Sequence, residues 1–193
     1  MERIPVSRYC LFVGLAMAGG FLDLWSKHVV FHWSTLPWGN TYWIWTGHIG
    51  LQKSLNEGAL FGMGQGMVWL FAAISIFAAV AIPIWLFRLG AAQDVWLTVA
   101  LGCVMAGIIG NLYDRLGLSG ESWPEFLPRA GEPAYAVRDW ILLQWNGEWR
   151  WPNFNLADSF LVAGAGLLVI QTFRQPDSKP TSSADQAEAT EHS

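Results

Sequence analysis

The sequence predicts an all-α integral membrane protein, with four transmembrane helices and a small extracytoplasmic β platform. Three observations carry the prediction. Hydrophobic residues make up 53% of the 193 positions and charged residues only 13%, against about 25% charged in soluble domains. Four stretches are long and apolar enough to cross a hydrocarbon layer of about 30 Å, which takes roughly 20 helical residues. Thirteen tryptophans are too many for a small soluble core, yet an indole, part apolar and part wet, suits a membrane interface. The same figures exclude other classes. So apolar a chain is not disordered, and a net charge of -4 without a basic stripe gives nucleic acid nothing to bind. Cys10 and Cys103 both lie in apolar runs and form no disulfide framework.

The first span, about 9–30, carries Asp23 and Lys27 in its second half. Arg3, Arg8 and the small run Ala16-Met17-Ala18 also resemble a secretory signal peptide. Three further apolar spans and the Asp23–Lys27 spacing favour a retained helix. The second span, 67–87, is uncharged up to Arg88; the third, 95–112, runs into Tyr113-Asp114-Arg115; the fourth, 156–173, opens beside Asp158 and ends at Arg174. An even number of spans puts both termini on one side. Arg3, Arg8, Arg88, Arg174 and Lys179 fall on that side, and Lys53, Arg129, Arg138 and Arg150 on the other, so the positive-inside rule makes the termini cytoplasmic by a single charge. Residues 1–174 read as one membrane domain and 175–193, polar and without apolar periodicity, as a disordered cytoplasmic tail.

Two outer-face loops, 31–66 and 116–155, connect the spans. The first contains Thr-Tyr-Trp-Ile-Trp at 41–45, β-branched and aromatic, and predicts short strands. In the second, 119–133 is rich in Gly, Pro and Glu and reads as an irregular exposed insert. Its remainder, 135–151, is aromatic and carries Asn146-Gly147, a hairpin signal.

Ionisable residues in or beside membrane helices are costly and therefore point to function. Asp23 and Lys27 share a helix face at four-residue spacing and read as a structural ion pair. Asn111, Asp114 and Arg115 share a face at the end of the third span. Gly107 and Gly110, one turn earlier, leave room for a helix or a substrate. That cluster reads equally as ligand positioning or as packing. Asn155 can cap the fourth helix, which leaves Asp158 without a bland explanation. Asp139 lies in the short apolar stretch Val137-Arg138-Asp139-Trp140-Ile141, where a strand would turn Arg138 to the opposite face. Two carboxylates in a partly dry site share a proton and supply base and acid together, which is hydrolysis without a cofactor. The histidines (His28, His32, His48 and His192) are read as offering neither a nucleophile motif nor a zinc spacing, and no metal is expected. Spacing alone does not decide whether Asp139 or Asp114 partners Asp158. A small transporter or proton-coupled channel, or a non-catalytic assembly or lipid-binding protein, are the alternative readings of the same intramembrane polar groups.

Five motifs stand in order: Asp23-x-x-x-Lys27; Asn56-x-Gly58-Ala59-x-Phe61-Gly62; Gly107-x-x-Gly110-Asn111-Leu112-x-Asp114-Arg115; Val137-x-Asp139; and Phe154-Asn155-x-Ala157-Asp158-Ser159. Over about 10–174 the chain resembles the bacterial lipoprotein signal peptidases (signal peptidase II). The resemblance implies a four-helix inner-membrane aspartic protease with cytoplasmic termini and its site near the outer leaflet. It would cut the signal peptide from prolipoproteins just before a diacylglyceryl-modified cysteine, with no cofactor. It places the catalytic dyad on Asp139 and Asp158. Substrate positioning falls to Asn56, Gly58, Asn111, Arg115, Asn155 and Ala157, and structural support to Asp23, Lys27, Gly110 and Asp114. Membrane lipids, prolipoproteins and cyclic peptide inhibitors such as globomycin are the implied partners of a monomer. Two departures stand out: the 24 positions from Arg115 to Asp139 are longer than the family leads one to expect, and Trp140 replaces an expected Phe.

Overall fold

The computed structural model describes residues 3–58, 63–145, 147 and 149–174. Helices α1 (Val6–Phe31), α2 (Val68–Pro83), α3 (Val95–Arg115) and α4 (Leu156–Arg174) and strands β1 (Tyr42–Trp45), β2 (Ile49–Asn56), β3 (Val137–Trp145) and β4 (Trp149–Arg150) follow in the order α1-β1-β2-α2-α3-β3-β4-α4. Among the described residues four helices are long and apolar enough to span a membrane, within a few residues of the predicted ranges. The hairpin dipeptide lies partly outside the described residues, as do 59–62 of the second motif and the tail 175–193.

Helix α3 is the central member, packed between α1 and α4. Lipid gives no hydrophobic drive for helices to associate, so close packing of small residues must supply it. The glycines show this. A Cβ on Gly19 would stand 2.6 Å from the Ala106 Cβ, and one on Gly107 would stand 2.5 Å from the Ala157 carbonyl. A Cβ on Gly164 would stand 2.7 Å from the Ala100 carbonyl. Phe12, Ala16, Leu101, Met105 and Ile108 fill the space towards the termini, with Leu86 and Ala92. Helix α2 touches mainly α3 and exposes most of its surface, as a lipid-facing helix does. It ends at Pro83, whose missing N–H disturbs the backbone ladder, and a widened π turn at Ile84–Arg88 follows. Asp94 caps α3, its Oδ1 accepting from the N–H groups of Trp96 (2.8 Å) and Leu97 (3.1 Å).

The strands form one antiparallel sheet in the order β1-β2-β3-β4. It lies over the helix ends where α1 and α3 finish and α2 and α4 begin. All-α is therefore too narrow a description: the loops build a second layer, because 41–56 and 137–150 are rich in β-branched and aromatic residues that favour a pleated surface. A bulge between Leu51 and Ser54 shifts the β2–β3 register, after which Ser54 faces Asp139, Leu55 faces Arg138 and Asn56 faces Val137.

The stretch 119–133 is mostly exposed, as expected of an insert. It is irregular but folds on itself. Trp123 exchanges backbone hydrogen bonds with Glu132 and Gly131, and it packs with Ala134, Ala136, Leu55 and Leu127. Arg129 lies 4.1 Å above the Trp123 ring and pairs with Glu57 at 3.0 Å. A single Trp with an Arg lid gives this loop a core of its own, which loop composition alone does not announce.

Candidate active site

The site stands where β2 and β3 meet the start of α4 and the end of α3. Successive residues of a strand point to opposite faces. Asp139 therefore turns towards Asn56 and α4, while Arg138 turns to the helix ends. Asp139 is 1% exposed. Its Oδ1 accepts from Asn155 Nδ2 at 2.6 Å, and its Oδ2 from Asn56 Nδ2 at 3.1 Å. Asn155 precedes α4 and caps it, its Oδ1 accepting the N–H of Asp158 at 2.9 Å. One asparagine thus holds both carboxylate residues, one by its amide N–H and the other through its backbone. Asp158 Oδ1 accepts from Asn111 Nδ2 at 2.8 Å, and Asn155 Nδ2 also reaches Asn111 Oδ1 at 3.2 Å.

Behind this frame runs a chain of buried charges. Lys27 Nζ donates to Asn111 Oδ1 at 3.1 Å, and it lies 2.7 Å from Asp23 Oδ2 and 3.0 Å from Asp114 Oδ2. Lys27, Asp23 and Asp114 are all 0% exposed. Asp23 Oδ1 in turn accepts the N–H of Ala157 at 2.8 Å. Arg138 completes the series, donating from Nε to Asp114 Oδ1 (2.9 Å) and from its backbone N–H to Asp114 Oδ2 (3.1 Å). Two cations and two anions alternate, so the buried cluster is neutral, the condition on which buried ions persist.

A pocket of ≈ 280 Å³ opens on the frame. Asn56, Gly58, Asn111, Arg115 and Asp158 line it with Trp151 and Phe154. Arg115 is 9% exposed, donates to the Gly58 carbonyl at 3.1 Å and lies 5.4 Å above the Phe71 ring. Asp139 stands behind this surface, outside its lining. The two carboxylates thus have unequal surroundings. Burial, and then the negative charge of Asp158, push the Asp139 carboxyl from 3.8 up to about 8, against the hydrogen bonds of Asn155 and Asn56.

The candidate site residues named from the sequence, all of them among the described residues, meet in this region. Asp23, Lys27, Gly110, Asp114 and Ala157 lie behind the pocket. A Cβ on Gly110 would stand 2.1 Å from Asp23 Oδ2 and 3.0 Å from the Ala157 Cβ. Ala157 is fully buried and bound to Asp23, and it does not line the pocket. The sequence reading of the residues missed Arg138 as the partner of Asp114, although strand alternation put it on the right face. It also missed the wall of Trp151, Pro152, Asn153 and Phe154, whose signal was an aromatic-Pro-Asn-aromatic run directly before Asn155. Contrary to the expected lack of zinc spacing, His28 and His32 stand four apart on α1. Their ring centroids lie 4.1 Å apart with the planes tilted by 30°, and no group of three metal-ligating side chains occurs among the described residues.

Fold and site define a class: a polytopic membrane protein with two carboxylates held in one amide frame at the helix–sheet junction. A profile of signal peptidase (SPase) II matches residues 15–174, and the chain belongs to that family of aspartic endopeptidases. A lipoprotein signal peptidase of Rhodopirellula baltica is 54% identical over 170 residues, which span 88% of this chain and 74% of the relative. One of Pseudomonas fluorescens is 36% identical over 137 residues, 69% of this chain and 67% of its own. A bacterial membrane enzyme solved by the in meso method at 2.3 Å resolution shares the fold, with a TM-score of 0.69 at 23% identity over 88% of this chain and 92% of that one. A second, at 1.9 Å resolution, gives a TM-score of 0.66 at 22% identity over 86% and 94%.

Proposed function

We propose that Asp139 and Asp158 form a catalytic dyad that removes the signal peptide from diacylglyceryl-modified prolipoproteins, cutting before the lipidated cysteine. The observation that carries this is the Asn155 bridge, which binds the Asp139 carboxylate and the Asp158 backbone N–H in one frame. Asp139, with its carboxyl raised to about 8, holds the shared proton near neutral pH. Asp158, on the pocket wall, is the ionised partner. Asp158 takes a proton from a water molecule as the water oxygen adds to the scissile carbonyl, and Asp139 gives its proton to the departing amine nitrogen. The C–N bond breaks, and the two carboxyls together hold one proton as before. The like charges that forbid double ionisation create the acid and the base. Arg115 and Asn111 present N–H groups to the pocket and hold the substrate backbone. Asn56 and Asn155 fix Asp139.

In this reading the chain lies in the bacterial inner membrane as a monomer, with both termini cytoplasmic and the sheet in the headgroup layer of the outer leaflet. The exposed indoles of Trp45, Trp145 and Trp149 on the sheet suit that depth. Cyclic peptides such as globomycin would occupy the pocket and cover the dyad.

The test uses purified protein in lipid with a diacylglyceryl-modified prolipoprotein, comparing wild type with Asp139→Asn, Asp158→Asn and Asp114→Asn. Cleavage before the lipidated cysteine, lost in the first two variants with folding retained, is expected. Cleavage that survives Asp139→Asn would overturn the pairing, and substrate bound but never cut by wild type would overturn the activity.

A further inference from the structure

A second pocket, of ≈ 360 Å³, touches the same aspartate from the other side. Trp151, Phe154, Asp158, Ser159, Val162 and Ala163 line it. It shares Trp151, Phe154 and Asp158 with the first pocket, so the two aromatic rings stand as a wall with Asp158 at the meeting point. The two sides differ in chemistry. The first presents the amides of Asn56, Asn111 and Asn153 and the Arg115 guanidinium. The second is apolar apart from Asp158 and Ser159, and the Ser159 hydroxyl is already donated to the Asn155 carbonyl at 3.1 Å.

Ser159, Val162 and Ala163 are three and four apart and so form one stripe on α4. Val162 is 59% exposed. The stripe continues through Gly166, which has open space where a Cβ would stand, to the exposed Ile170 and Phe173. On a membrane-spanning helix this is a shallow apolar track running from the carboxylate into the hydrocarbon.

Resting on the proposed function, we propose that this second pocket is the subsite for the diacylglyceryl thioether, with its acyl chains lying along the α4 stripe, and that Trp151 and Phe154 separate it from the peptide subsite. Geometry carries the assignment. An acyl chain already in hydrocarbon gains little by moving onto an apolar protein face, because lipid tails are as apolar as the side chains. The anchored cysteine must instead reach Asp158 without lifting its chains from the bilayer. An opening that is apolar, faces lipid and ends on the reacting carboxylate meets that need. The peptide backbone, with hydrogen bonds to satisfy, takes the amide-lined side.

Ala163→Trp fills the track at its mouth. Val80→Trp, on the exposed surface of α2, is the control for a bulky residue facing lipid. With a diacylglyceryl prolipopeptide in lipid, Ala163→Trp is expected to raise KM at least tenfold with kcat within twofold, and Val80→Trp to change neither. A photoreactive group on the glyceryl moiety of the same substrate, bound to Asp158→Asn so that it is not consumed, should label Val162, Ala163 or Gly166. Equal KM in the two Trp variants, or label on Met63 and Arg115 of the first pocket, would overturn the assignment while leaving the peptidase reading intact. Absence of any cleavage by wild type would instead remove the reading on which it rests.

Discussion

Raising the pH through the Asp139 titration is the most direct probe of the proposed dyad. Asp139 is almost wholly buried, and desolvation is the largest cause lifting its carboxyl from 3.8 to about 8, followed by the charge of Asp158. At about 1.4 kcal/mol per pH unit, that rise corresponds to about 6 kcal/mol between the protonated and ionised forms of the folded protein. The folded state keeps its proton where the unfolded chain has lost it. Between about pH 4 and pH 8 the folded state therefore binds more protons, and stability falls as pH rises through this range. At pH 7 about nine-tenths of the folded molecules retain the proton, at a cost of about 4 kcal/mol relative to an unshifted group. Because the acid form must donate to the leaving amine, cleavage is expected to fall tenfold per pH unit above about pH 8. The assay is kcat/KM for a diacylglyceryl prolipopeptide between pH 5 and 10, with thermal unfolding of wild type and Asp139→Asn over the same range. Wild type should lose several kcal/mol relative to Asp139→Asn between pH 5 and 8. Asp158→Asn, which removes the like charge, should move the remaining carboxyl back towards 3.8. Activity level to pH 10, or wild type gaining on Asp139→Asn as pH rises, would refute the reasoning.

The buried ions give further expectations. Lys27→Met leaves Asp23 and Asp114 facing each other without their shared cation and should destabilise the fold by about 3–5 kcal/mol, read as a loss in thermal midpoint in detergent; an unchanged midpoint would show that the cluster is not held as ions. Arg138→Met removes a cation of the same series and leaves the start of β3 held to Asp114 of α3 by its backbone N–H alone. It should lower kcat at least tenfold with little change in KM, and Arg138→Lys should recover only part of it, since lysine cannot present the same planar donor set. Gly110→Ala places a methyl 2.1 Å from Asp23 Oδ2; forcing α1 and α3 apart should cost about 1–3 kcal/mol or more, whereas Gly14→Ala, with open space around it, should be neutral.

Much of the architecture was legible because a bilayer imposes a simple rule. Every backbone group must be paired inside hydrocarbon, so long apolar runs become helices, and the four spans fell within a few residues of their observed ends. The third reached further than its apolar run, since Asp114 is paired with Lys27 and Arg138, and Arg115 donates to the Gly58 carbonyl, so neither need mark the edge of water. The strands followed from aromatic and β-branched runs. The compact fold of 119–133 did not, because Trp123 finds its partners in Leu55 and Ala136, far off in sequence.

For the site, local spacing sufficed where partners share a helix: Asp23 with Lys27, and Asn155 as the cap of α4. It left Asp139 and Asp114 as equal candidates to partner Asp158, and only the family motif chose between them. The tertiary structure supplies a physical distinction. Asp114 is claimed by Lys27 and Arg138, whereas Asp139 faces Asn155 and Asn56, with no ion pair among the described residues. That difference depends on a strand bulge at 51–54, on alternation along β3, and on the approach of α3 to α4 over glycine. The sequence by itself determined the membrane class, the helices and the identity of the polar residues, because each is a property of one segment in its solvent. Which charges pair with one another, and which carboxyl is buried behind the pocket, only the tertiary structure decided, because those depend on contacts between groups separated by as many as 134 positions.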